Sequence, residues 1–191
     1  SIRRRYNLTA QSYDQRYFAE QQIKYQAALN KLQIKQDDTI LDVGCGTGLF
    51  FNHISDRAGS VVGLDISRGL LLQAKERAKA YSNVFVVLGD ADHLPFADGF
   101  FSLVFAFTVL QNMPKPVETL QELSRVAKPD ASIVATALKR AISLETFADM
   151  LEQAGLKATA LRDDEQLQCY VVTATQSPKL PTSTRLIDKK G

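Results

Sequence analysis

The sequence is poor in cysteine and histidine and has no long apolar run, and each shortage excludes a class of protein. Two cysteines in 191 residues, Cys45 and Cys169, give neither metal-ligand spacing nor the density of a disulfide scaffold. They read as reduced thiols, and no metal site is expected. No stretch approaches the ~20 apolar residues that span a bilayer. The opening Ser-Ile-Arg-Arg-Arg-Tyr also lacks the apolar core of a secretion signal, so the expectation is a cytoplasmic protein with no membrane partner. An excess of one charge is missing too. Twenty-three basic residues face 21 acidic ones, a net charge of +2, which offers no general argument for nucleic acid. Internal repeats and low-complexity arrays are absent.

What is present is an ordinary globular composition, 45% hydrophobic and 23% charged, in a chain long enough for one well-buried core. Helical spacing from Tyr17 to Leu32 is followed by a short apolar strand at Thr39–Val43 and a glycine segment. A helix over Leu49–Arg57, a strand at Ser60–Asp65 and a helix capped by Ser67 come next. Further strands are expected at Asn83–Leu88, Phe101–Phe107 and, after a turn at Pro129-Asp130, Ser132–Leu138. Helices are expected at Val117–Ala127 and from Ser143 to Ala154-Gly155. Lys157–Leu161 and Leu167–Thr175 read as a closing hairpin.

Strands alternating with helices imply an α/β fold: a Rossmann-like, seven-stranded, mostly parallel sheet with helices on both faces and a C-terminal antiparallel hairpin. Residues 1–175 read as one domain, with residues 1–35 as an N-terminal lid and helix. From Gln176 the composition turns to Ser, Pro, Thr and Lys without periodicity, and a flexible tail over 176–191 is expected.

In such a sheet, ligands bind beyond the carboxyl ends of the strands, and four successive ends carry suggestive groups. The first is Asp42-Val-Gly44-Cys45-Gly46-Thr-Gly48, where a bare backbone permits close approach. The second ends in Asp65, a carboxylate that can accept from a ribose diol. The third ends in Gly89-Asp90-Ala91, suited to an adenine amine. The fourth ends in Ala106-Phe107-Thr108, whose apolar groups could wall a methyl-transfer pocket. Singly, the turn can be a mere connection, Asp65 a helix-start charge and Asp90 a turn residue. Together and in chain order they point to a nucleoside-like ligand. A dinucleotide fingerprint would need a third glycine at position 49, where the chain has Leu49, and no hydride-transfer residue is evident.

These residues resemble the class I S-adenosylmethionine-dependent methyltransferases, in the branch with ubiquinone-biosynthesis-type enzymes. Leu41–Gly48 is similar to that family's first motif, Val62–Ser67 to its second, Leu88–Phe96 to its third and Phe101–Leu110 to its fourth. Glu122–Pro129 resembles its lip helix, though Asp130 stands where glycine is common. The likeness covers residues 36–137. It implies S-adenosyl-L-methionine as cofactor, with Gly44, Cys45, Gly46 and Gly48 under its methionine and ribose and Asp42 toward the ammonium. Asp65 would take the ribose hydroxyls, Ile66 the adenine face, and Asp90 with Ala91 the adenine amine. The carbonyl near Ala106, beside Phe107, would meet the ammonium, and Tyr6 and Tyr13-Asp14 resemble a segment that closes over the cofactor.

The acceptor is less legible. Gln111 and Asn112 are placed to orient it, whereas His93 reads as cofactor-side or structural and His53 as without chemical role. No catalytic base is assigned. The Asn/Asp-Pro-Pro-Tyr/Phe motif of amino-group enzymes is absent at Phe105–Thr108, and so is a cysteine nucleophile at that strand end. Only Lys139–Ile142 joins the fifth strand to the Ser143 helix, an open arrangement compatible with a macromolecular acceptor or a partner subunit. Arg3-Arg4-Arg5 and Lys139-Arg140 could meet phosphates but read more simply as solvated surface. A small-molecule acceptor is favoured over RNA or protein, and a non-catalytic binding subunit is the alternative of another class.

Overall fold

The computed structural model describes residues 17–178. Tyr6, Tyr13, Asp14, the Arg3–Arg5 cluster and the expected tail from 179 onward lie outside the described residues. A first helix, α1 (17–29), leads to β1 (Thr39–Val43), α2 (Phe51–Ile54), β2 (Ser60–Asp65), α3 (Arg68–Ala78), β3 (Val84–Leu88) and β4 (Phe101–Ala106). A 3-10 turn at Leu110–Asn112 precedes α4 (Pro116–Val126), β5 (Ala127–Leu138), α5 (Leu144–Gln153), β6 (Leu156–Arg162) and β7 (Cys169–Gln176).

The strands form one seven-stranded sheet in the order β3-β2-β1-β4-β5-β7-β6. β1 pairs parallel with β2 and β4, β2 with β3, and β4 with β5. β7 alone runs antiparallel, against both β5 and β6. The chain order reverses between β1 and β4, which opens a crevice at their carboxyl ends.

Central strands are covered on both faces, so their side chains divide between two cores. Leu41, Val43 and Val104 pack with Leu120 and Leu123 of α4 and Phe147 of α5. Ile40, Val61 and Phe105 pack on the opposite face with Phe50, Phe51 and Ile54, Ala74 of α3 and Tyr25 of α1. The second core is aromatic near the crevice. The Tyr25 ring lies 4.8 Å from Phe50 and 5.0 Å from Phe107, and Phe50 is 4.8 Å from Phe105. Each such ring contributes ~1.5–3 kcal/mol of burial, which docks α1 beside the end of β4.

Three expectations about elements need correction. The helix expected over Leu49–Arg57 is only Phe51–Ile54, flanked by turns. It has no side-chain cap, and it holds position by inserting Phe51 and Ile54, both fully buried. The expected turn at Pro129-Asp130 lies inside β5 as an irregularity: Phe101 pairs with Ala127, but Leu103 pairs with Ser132. Proline has no N–H for the ladder, and a bulge absorbs the extra residues without ending the strand. Gln176, expected in the tail, ends β7, and its amide donates to the carbonyls of Ser124 (2.8 Å) and Ala127 (3.2 Å). Among the described residues, no helix is long and apolar enough to cross a membrane.

Candidate active site

The turn after β1 is tied to the end of β2 before any ligand is considered. The amides of Gly44 and Cys45 donate to the Leu64 carbonyl at 2.7 and 3.0 Å. Gly44 has φ +70, and a Cβ there would stand 2.6 Å from Cγ2 of Val109. Gly46 has φ +55 with nothing within 4 Å of its would-be Cβ. The first glycine is thus required by packing as well as conformation, the second by conformation over open space.

Asp65 closes the same turn with its side chain. Its Oδ2 accepts from the Gly46 amide at 2.9 Å, and its Oδ1 accepts from the Ser67 amide at 2.8 Å. Each oxygen keeps a second acceptor position, so the carboxylate is fixed in place yet still able to receive hydroxyl groups. Ser67 in turn caps α3 by accepting from Leu70. Beyond it, Ile66 is 71% exposed, a large apolar side chain with no cover.

Asp42 is the odd group. It is 2% exposed, and its Oδ2 is buried with no hydrogen-bond partner among the described residues. Burial first, and the charge of Asp65 second, push its carboxyl up to about 8. A buried ionised oxygen without a donor is strongly disfavoured unless a cation or donor arrives. The Tyr25 hydroxyl and Cys45 thiol nearby are pushed up as well, by burial first and Asp42 second; both stay protonated.

The crevice has two lobes that share Gly44, Phe107 and Thr108. The larger, about 440 Å³, is lined by Asp65, Ile66, Asp90, Ala91, Val109 and Asn112 among others. The smaller, about 180 Å³, is lined by Asp42, Cys45, Gly46 and, from α1, Tyr17, Gln21 and Tyr25. Asp90 is oriented by the loop it begins, its Oδ1 accepting from the Asp92 amide at 3.0 Å. That loop is held by α4: Arg125 donates to the carbonyls of Leu94 and Phe96, both at 2.9 Å, and Glu122 accepts from the Leu94 amide at 2.8 Å. The Arg125 hydrogen bond holds the Glu122 carboxyl below its usual range.

Of the residues singled out in the sequence, the crevice gathers Asp42, Gly44, Cys45, Gly46, Asp65, Ile66, Asp90, Ala91, Phe107 and Asn112. Gly48, Ala106 and Gln111 lie outside its lining. Ala106 is fully buried, and the Gln111 Oε1 is buried without a partner among the described residues. His93 is exposed, and the ring of His53 packs between Tyr25 at 5.3 Å and Phe50 at 6.2 Å. Thr108, named with the fourth strand end, lines both lobes; sequence reasoning missed Val109, Met113 and Pro114, and the α1 residues Gln21 and Tyr25. A visible signal existed for α1: Gln21 and Lys24 stand at spacings shared with the buried Ala28, so polar groups occupy an inward face.

Comparison with known proteins agrees with this architecture. A model described as a methyltransferase domain matches residues 41–135, about half of the chain. Malonyl-[acyl-carrier protein] O-methyltransferase of Marinomonas sp. (strain MWYL1) is 33% identical over 73% of this chain and 52% of its own length. Demethylmenaquinone methyltransferase of Staphylococcus carnosus is 35% identical over 61% of this chain and 50% of its own length. The chain therefore spans about half the length of the curated relatives it matches. Among solved structures, a SAM-dependent methyltransferase from Aquifex aeolicus superposes with a TM-score of 0.71 at 22% identity, covering 80% of this chain and 89% of that one. A methyltransferase solved in complex with the Haloferax volcanii Trm112 activator gives 0.72 at 18% identity, covering 82% and 90%. With its motifs standing at the successive strand ends of this sheet, the chain belongs to the class I S-adenosylmethionine-dependent methyltransferases.

Proposed function

We propose that the protein transfers a methyl group from S-adenosylmethionine to a small-molecule acceptor. The observation that carries the reading is Asp42, whose buried Oδ2 has no donor among the described residues in a lobe of the crevice floored by Gly44 and Gly46. A cationic ligand group is what that oxygen lacks. The chemistry of the cofactor suits it, since its sulfonium supplies an already activated methyl and its methionine end carries an ammonium. Asp42 would face the ammonium. Asp65 would receive the ribose hydroxyls with its remaining lone pairs, Ile66 would lie against the adenine, and Asp90 with Ala91 would meet the adenine edge. Gly44, Cys45 and Gly46 would form the floor and Phe107 the wall, with Gly48 and Ala106 behind them, and Tyr13, outside the described residues, would close over the cofactor. The chain's own work is then to align donor and acceptor and to exclude water. Asn112, at the crevice edge, would orient the acceptor, with Gln111 behind it outside the lining.

A small acceptor is supported by the demethylmenaquinone methyltransferases among the relatives, whereas the name of the malonyl-[acyl-carrier protein] enzyme gives a small acyl group carried on a protein. Titration with S-adenosylhomocysteine by calorimetry tests the cofactor assignment, and no binding would sink it. Labelled-methyl transfer into fractionated extract tests the acceptor. Label confined to RNA or protein would overturn the small-molecule reading, and no transfer with intact binding would favour a non-catalytic binding subunit. The partner-subunit reading has one observation in its favour: edge strand β3 leaves Phe85 55% and Leu88 58% exposed. Its test is whether the purified chain is inactive until extract protein is restored.

A further inference from the structure

Two side chains beside the crevice are outside the set assigned above to the cofactor. Lys24, on α1, is 2% exposed, although lysine is almost never fully buried without a reason. Its Nζ donates to the Thr108 Oγ1 at 3.0 Å. Thr108 is the one non-glycine residue with positive φ (+61) among the described residues, an outlier for a β-branched side chain, and such strain concentrates at functional sites.

The surroundings over-determine this conformation. The Thr108 amide donates to the Oγ1 of Thr136 at 2.8 Å, and its carbonyl accepts from the Asn112 side chain at 3.1 Å. Thr136 is itself fully buried. With the amide, the carbonyl and one hydroxyl lone pair all engaged, the Thr108 hydroxyl proton has no acceptor among the described residues. Thr108 lines both lobes of the crevice, so that proton is available at the boundary between them.

The position of Lys24 separates it from the floor of the crevice. Its charge opposes the effect of burial on the Cys169 thiol at the start of β7, where Glu20 of the same helix acts in the opposite sense, whereas the carboxyl of Asp42 responds to burial and Asp65. The acidic group of the crevice thus lies under the first glycine turn, and the cation of Lys24 lies behind the Thr108 hydroxyl. A cationic or amine acceptor would meet like charge at Thr108. An anionic one would be attracted, with the hydroxyl as its donor and the lysine behind it strengthening the bond.

We propose that Lys24, acting through the Thr108 hydroxyl, forms a subsite for an ionised oxygen of the methyl acceptor, which makes that acceptor a carboxylate, enolate or phenolate. The inference rests on the methyltransferase reading and gives it a substrate class. Lys24 is a positioning residue here, and Thr108 is the group that would touch the acceptor.

The test compares benzoate with its neutral isostere benzamide, titrated calorimetrically into the full chain with and without saturating S-adenosylhomocysteine. The expected result is benzoate binding to the loaded protein at least tenfold tighter than benzamide. Lys24→Met and Thr108→Val should abolish that preference, and Thr108→Ser, which keeps the hydroxyl, should preserve it. Where Lys24→Met does not fold, Thr108→Val and Thr108→Ser decide the matter. The proposal is overturned if benzoate shows no preference, if the preference survives both deletions, or if S-adenosylhomocysteine displaces benzoate. Failure to bind S-adenosylhomocysteine would refute the cofactor reading alone, while the unloaded titration still reports on the subsite.

Discussion

Replacing Asp42 by asparagine should make the ligand-free protein more stable and its ligand affinity worse. The carboxyl is raised from 3.8 to about 8 in the folded chain. The folded form therefore holds a proton that the unfolded form has lost between those values. Stability from this group is undiminished below about pH 4, falls as pH rises and reaches its full deficit above about pH 8. At ~1.4 kcal/mol per unit the deficit would approach ~6 kcal/mol. Relaxation and the amide's own unmet hydrogen bonds reduce the net gain from Asp42→Asn to about 1–3 kcal/mol. In a domain of this size that corresponds to a rise in Tm of roughly 3–9 °C. Scanning calorimetry should show this gain at pH 9 and its loss at pH 5, where the carboxyl deficit has fallen to about a third of its full value and no longer exceeds those costs. Asp42→Asn should also weaken S-adenosylhomocysteine binding at least tenfold, because the neutral amide cannot answer an ammonium. An equal or lower Tm at pH 9, or unchanged affinity, would refute the assignment of Asp42 as an uncompensated carboxylate.

Asp65→Ala removes the acceptor for the Gly46 and Ser67 amides; it should lower stability by about 2–4 kcal/mol in urea unfolding and reduce S-adenosylhomocysteine affinity at least tenfold. Phe105→Ala empties a fully buried site between Phe50 and Phe107 and should cost about 3–5 kcal/mol, read as a shift of the urea midpoint at unchanged slope. Gly44→Ala forces a Cβ against Val109 in a left-handed turn; loss of cofactor affinity in calorimetry is expected, and smaller partner Val109→Ala should recover part of it. Cys45 and Cys169 are both buried with their thiols pushed up by burial, so neither should react with iodoacetamide at pH 8 in the folded protein, and mass spectrometry would reveal any adduct.

Much of the fold was legible because its signals are local. Apolar runs at Ile40–Val43, broken only by Asp42, and at Leu103–Ala106 mark strands buried on both faces, and Ser67 and Ser143 mark helix starts where the structure shows their side chains accepting from the Leu70 and Thr146 amides. The same holds for the glycines and for Asp65 and Asp90, whose spacing follows the strand ends. Errors fell where packing overrode local preference. Phe51 and Ile54 hold a helix only four residues long, and the sheet carries β5 across Pro129 because Phe101 and Leu103 pair on either side of it.

The amino-acid order by itself determined the alternation of strands and helices, the hairpin at the end and the four strand-end groups, since each depends on neighbours within a turn or two of chain. Only the tertiary structure decided what those groups meet. The unanswered oxygen of Asp42 and the Gly46 amide on Asp65 arise from the placement of β1 beside β2. The contact of Lys24 with a strained Thr108 joins residues far apart in the sequence through the docking of α1 on the aromatic core. Solvent exclusion and long-range contact set both arrangements, and neither is written in local periodicity.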